Sequence, residues 1–204
     1  MRLSFKSQAL LLLAFVSIGL MASACGTAPA VVYYTLDPLP QAVSSPPAET
    51  ASAPERIGIG PVRLPTYLAR DRIITRAGDH TLTINDFHRW AGPLDEEIQR
   101  VLVAAVGTAL PGAEILSYPW NRRNAPASQV QLRVQRFDAQ PGGQVRLRGS
   151  WALTCGTAPE RDQQRSFDIA EAVNGTEMPD LVAAQNRALG TLSGDIVAAL
   201  CVSP

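Results

Sequence analysis

Residues 56–110 read RIGIGPVRLPTYLARDRIITRAGDHTLTINDFHRWAGPLDEEIQRVLVAAVGTAL. They hold, in order, a strand, a basic loop, a hairpin and an amphipathic helix. Ile57 and Ile59 fall on one alternating set, and Val62 and Leu64 on the other. The parity changes at Gly60-Pro61, where a bulge or an edge position is expected. Pro65 ends the run. Ile73 to Ala77 and Thr81 to Ile84 flank Gly78-Asp79, a pair suited to a hairpin turn. Pro93 opens the helix, because a missing N–H costs nothing at the first helical position. Asp95, Glu96 and Glu97 place negative charge on the positive end of the helix dipole. Leu94, Ile98, Val101, Leu102, Ala105, Val106, Ala109 and Leu110 make one apolar face. Pro111-Gly112 stops the helix. At 1.5 Å per residue it is about 26 Å long, enough to cover one face of a sheet.

Downstream, Ala113 to Tyr118 is a short strand that runs into an aromatic and basic loop, Tyr118-Pro119-Trp120-Asn121-Arg122-Arg123. Gln129 to Phe137 alternates cleanly, with Val130, Leu132 and Val134 on one side. After Pro141-Gly142-Gly143 the alternation resumes through Val145, Leu147, Gly149, Trp151 and Leu153. Two such runs around a turn form an antiparallel hairpin with one wet face. Arg133, Arg146 and Arg148 share that wet face, where solvation is the default reading of a charge cluster. Arg165 to Val173 is a further strand, with Phe167 and Ile169 inward. A last helix runs from Met178 to about Cys201 on a stripe of Leu181, Ala184, Ala188, Leu189, Leu192, Ile196, Ala199 and Leu200. Gly190 and Gly194 either weaken it or allow close packing. The fold class is α+β, an antiparallel or mixed β-sheet covered by two amphipathic helices, in one domain over residues 56–204.

Upstream, residues 1–24 form a secretory leader. Arg2 and Lys6 precede an apolar run from Ala9 to Leu20, too short to span a membrane comfortably. Ala22-Ser23-Ala24-Cys25 resembles a lipobox, with alanine where leucine is commonest. Cys25 is therefore the expected lipidation site. Gly26 follows it; an aspartate there favours inner-membrane retention, so glycine leans toward the outer membrane. Val31 to Leu36 has strand-forming residues, and Val32 to Leu36 is expected to dock on the sheet. Asp37 to Glu55, rich in Pro, Ala and Ser, reads as a linker completing the N-terminal region 25–55. As a flexible chain it would reach on the order of 20–25 Å and could hold the domain below a membrane.

The chain has 204 residues, 46% of them hydrophobic, so a sizeable core is possible. Without the leader's two basic residues the charge is 16 basic against 18 acidic. That balance offers nothing to a nucleic acid. With Cys25 taken by lipid, Cys155 and Cys201 are left as a pair of thiols in an oxidising compartment, and a disulfide between them is expected.

The order GPVRLPTYLAR, IITR and HRWAGPLDEEIQRVL, with Tyr33-Tyr34-Thr35-Leu36 after the anchor site, resembles the PqiC-type, or ABC-type transport auxiliary, lipoproteins of the paraquat-inducible system. The resemblance is strongest over residues 33–36 and 57–102. It implies a non-enzymatic accessory lipoprotein at the outer membrane, working with an MCE-domain protein of a lipid transport system. Lipid itself and a second copy of the chain are further partners it allows.

The residues offer contact surfaces more readily than chemistry. The loop from Arg63 to Arg76 holds Tyr67, Leu68, Arg70 and Arg72, and the later loop holds Trp120 and Arg122. Aromatic and arginine side chains dominate binding energy at interfaces; the competing reading is that Tyr67, Leu68 and Trp120 are packing residues. No phosphate loop, nucleophile elbow or Cys-x-x-Cys occurs. His80 and His88, with acids nearby, do not supply the three or four ligands of a zinc site. No cofactor is expected. The alternatives are a periplasmic hydrolase using His80 or His88, and a lipoprotein of another outer-membrane assembly or secretion machine.

Overall fold

The computed structural model describes residues 29–38, 56–156 and 158–201, with Cys201 described by its backbone alone. The leader, Cys25 and most of the 37–55 linker lie outside the described residues.

Eight strands form one mixed sheet. The first is β1 (Val32–Tyr34), followed by β2 (Arg56–Arg63), β3 (Arg72–Gly78) and β4 (Thr81–Trp90). Helix α1 (Leu94–Ala109) leads to β5 (Glu114–Ser117), and then come β6 (Ser128–Ala139), β7 (Gln144–Cys155), β8 (Gln163–Ala172) and helix α2 (Met178–Cys201). Strands β6, β7 and β8 are a continuous antiparallel meander. The other edge of β6 takes β2 in parallel along its first half and β3 at Ala139. Strand β5 adds to β2, and β4 and β1 add to β3.

The alternation along β6 and β7 places Val130, Leu132, Val134, Val145, Leu147, Trp151 and Leu153 in the core, against the helices. Each aliphatic side chain fully buried there contributes roughly 1.5–3 kcal/mol. Helix α1 turns seven buried residues inward, from Leu94 to Ala109, and Pro93 occupies the N-cap position rather than the first helical turn. Helix α2 buries its expected stripe except Leu200, which is partly covered. A side chain at Gly194 would meet open space, so close packing is not the reason for that glycine.

The parity change in β2 is confirmed by a register shift between Ile59 and Val62, where Gly60 has φ +114°. The hairpin around Gly78 is confirmed too, though β4 runs on to Trp90.

Segment 32–36 docks as expected. Strand β1 pairs in parallel with His88–Trp90, and Leu36 is wholly buried. The Leu36 amide donates to Glu97 Oε2 at 3.1 Å, and Arg100 donates to the Leu36 carbonyl. One expectation therefore changes: residues 37–55 connect two docked strands, so they are not the spacer between a Cys25 anchor and the domain.

Candidate functional site

Both helices lie on one side of the sheet, which leaves the other side to loops and solvent. The first loop follows β5, an edge strand. To reach β6 it must cross β2, and it does so on the helix-free face. Gly58 makes the crossing possible: a Cβ there would lie 2.5 Å from Pro126 Cγ and 2.7 Å from Trp120 Cη2. Trp120 is half-buried on that glycine and meets the exposed Tyr118 edge-on, with ring centroids 5.4 Å apart. Asn121 accepts the Asn124 amide at 3.0 Å and shapes a short 3₁₀ turn that carries Arg122 and Arg123 outward.

The second loop joins β2 to β3 near the far end of β6. Asp138 is 1% exposed and takes Arg76 in a two-pronged pair, at 2.8 and 3.0 Å, together with Arg136 at 2.9 Å. The hydrogen bond to Asp138 raises the Arg76 pKa, so the pair stays ionised. Tyr67 lies over this cluster and donates to the Gln135 carbonyl at 3.4 Å. Burial pushes its phenol pKa up, and the Asp138 charge adds to the rise.

Between the two loops the face holds a cleft of about 250 Å³. Arg63 and Arg133 line it with Gln131, Ser150, Gln164 and Pro61. Arg63 and Arg133 are register partners on the parallel β2–β6 pair, so their side chains leave the sheet side by side. The neighbouring arginines are paired with a carboxylate. Asp168 binds Arg146 at 2.6 Å and Arg148 at 2.7 Å, and their hydrogen bonds, Arg148's first, lower its pKa.

The contact candidates fare differently. Leu68 is 3% exposed and belongs to the core. Tyr67 is half-buried against the core and Trp120 half-buried on Gly58. Arg70 and Arg122 are exposed, and Arg72 pairs with Asp86 at 3.5 Å. The two loops share one face but stand at opposite ends of it. The cleft between them was not legible in the sequence, because Arg63 and Arg133 meet only through a parallel pairing across distant segments. An apolar strip at the other edge of the sheet, with Tyr33, Leu82, Ile84 and Phe87 exposed, was also missed.

His88 Nδ1 lies 3.0 Å from the Tyr34 hydroxyl, and the cleft contains no histidine. Burial, then the charge of Glu177, raises the Tyr34 pKa. Among the described residues no three His, Cys, Asp or Glu side chains cluster as metal ligands. Cys155 carries a free, buried thiol 3.7 Å from Ser128 Oγ; the Cys201 side chain lies outside the described residues.

The ABC-type transport auxiliary lipoprotein components match residues 34–197, which takes in β2 to β8, the last residue of β1, all of α1 and α2 up to residue 197. The chain belongs to this family. It is 30% identical over 112 residues to the intermembrane transport lipoprotein PqiC of Escherichia coli, and equally to that of Shigella flexneri. The matched stretch is 54% of this chain and 58% of the PqiC chains, under two thirds of their length. A crystal structure of a protein from Xanthomonas campestris shares the fold, with a TM-score of 0.67 at 17% identity over 84% of this chain and 95% of that one. A second solved structure gives the same TM-score at 21% identity over 84% and 99% of the two chains. The family is typically non-enzymatic.

Proposed function

We propose that this auxiliary lipoprotein is anchored through Cys25 to the periplasmic face of the outer membrane and docks an MCE-domain protein of an intermembrane lipid transport system. The observation that carries the reading is the joint use of one sheet face. The helices seal the other side, and both aromatic–arginine loops lie on the free side, one at each end. Rim arginines and partly packed aromatics are the side chains that anchor protein contacts. The family and the likeness to PqiC support transport as the setting, and Gly26 supports the outer membrane.

The docking surface consists of Tyr118, Arg122 and the open edge of Trp120 at one end, and Arg70, Arg72 and the edge of Tyr67 at the other. Leu68 contributes packing alone. A photo-crosslinking residue placed at Tyr118, Arg122 or Arg70 in intact cells should capture an MCE-domain protein. The same residue at Asp195, exposed on α2, should not. Equal capture from both sides, or capture from neither, would remove this face as the docking surface.

A further inference from the structure

We propose that the cleft between the two loops binds a phosphate ester, with Arg63 and Arg133 gripping the phosphate. Directly opposed like charges on neighbouring strands destabilise a sheet. Strands lie about 4.8 Å apart, so two guanidinium groups leaving one rung cannot escape each other's field. Elsewhere on the sheet this conflict is resolved by a carboxylate. Asp138 serves Arg76 and Arg136, Asp168 serves Arg146 and Arg148, and the opposed Arg72 and Arg89 have Asp86 and Asp71. The Arg63–Arg133 rung has none: among the described residues neither side chain makes an ion pair or a hydrogen bond, and no acid lines the cleft.

What the cleft does supply is neutral. Gln131, Gln164 and Ser150 add donors around the arginine pair. Two planar forks with several amide and hydroxyl donors suit an anion with three or four oxygens, and arginine is the side chain best matched to phosphate in that way. A carboxylate, with two oxygens, would leave most of these donors unused. The volume decides the size of the ligand. At about 250 Å³ the cleft is smaller than a typical ligand pocket of about 300–1,000 Å³. It encloses a phosphate with a small polar substituent, and anything longer would extend out of its open mouth. Lipid headgroups and soluble phosphate esters share that chemistry. The proposal stands on the cleft alone, so its failure would leave the docking surface untouched.

The test uses the full chain in mild detergent, followed by tryptophan fluorescence, since Trp151 backs the cleft. Glycerol 3-phosphate, dihexanoyl phosphatidylglycerol and an Asp/Glu hexapeptide are titrated in turn. Saturable binding of a phosphate compound is expected, weakened at least about tenfold in Arg63→Gln and in Arg133→Gln and unchanged in Arg187→Gln, on α2. Tighter binding of the lipid identifies a headgroup as the ligand; equal binding identifies a soluble ester. The unliganded variants provide a second reading. Removing one arginine relieves the repulsion, so Arg133→Gln should melt at or above the wild type, and added phosphate ester should raise only the wild-type Tm. Absence of saturable binding, equal affinity in the arginine variants, tighter binding of the acidic peptide or a lower Tm for unliganded Arg133→Gln would each overturn the proposal.

Discussion

Asp138 holds the far loop to the sheet. Its carboxylate is 1% exposed, and its partners Arg76 and Arg136 are 16% and 33% exposed. Removing one member of a buried pair leaves charge without compensation, at a cost of about 3–5 kcal/mol. Asp138→Ala should therefore lower stability by about that amount in urea unfolding, and Tyr67, packed above it, should become more accessible to solvent quenchers. A loss under 1 kcal/mol would mean that water already screens the cluster. Asp168 gives the opposite case, because it lies at the surface, with its side chain 37% exposed. Its folded pKa is lowered from 3.8 by hydrogen bonds from Arg148 and Arg146. The stabilisation is thus complete above the unfolded value and is lost as pH falls through the lowered one. Asp168→Asn should melt below the wild type at neutral pH, and the difference should close as the acid limb is crossed. A gap that persists at the lowest pH would show that charge is not the cause.

The elements most visible in the sequence are those whose order is set locally. The periods of α1, β6 and β7 reflect burial of one face, and that pattern survives without knowledge of neighbours. The parallel pairings of β2 with β5 and β6, and of β1 with β4, come from contacts between distant segments, so no local period reports them. The fold class was legible for this reason, and the Arg63–Arg133 cleft was not. The same limit applied to Leu68, whose loop composition hid its burial. Element placement also bears on the expected disulfide. Val173 hydrogen-bonds to Gly143 at the start of β7, and α2 begins five residues later. A helix of 24 residues is about 36 Å long, close to the roughly 40 Å of the 12-residue β7. A helix of that length running back along the sheet would bring its C-terminal end toward the end of β7, where Cys155 lies. Cys155 is a free thiol in the structure, and we expect it to pair with Cys201 once the chain meets an oxidising compartment. Mass spectrometry of unfolded, unreduced protein should find neither thiol open to alkylation, and reduction should cost about 2–4 kcal/mol. Two modified thiols before reduction would rule the bond out.

At the scale of the whole molecule, the docking of β1 changes how an anchor would act. If Cys25 carries lipid, the chain between it and β1 is residues 26–31. Six residues reach at most about 20 Å when fully extended. The 37–55 segment adds nothing to that reach, because Leu36 is pinned to α1 on one side of it and Arg56 opens β2 on the other. The anchor thus limits the height of the domain strictly, while the proline-rich segment is a closed loop whose length matters little, since loop entropy grows only slowly with length. Two insertions separate these roles. A twenty-residue Gly-Ser segment placed after Gly26 should let the domain move away from the membrane. Energy transfer from a dye at Arg122→Cys to an acceptor lipid in reconstituted vesicles should fall accordingly. The same segment placed within residues 41–50 should leave the transfer and the Tm nearly unchanged. Cys25→Ser should abolish transfer altogether and release the protein to the soluble fraction. Equal effects of the two insertions would show that β1 leaves the sheet when the protein is on a membrane, and that residues 37–55 serve as the tether.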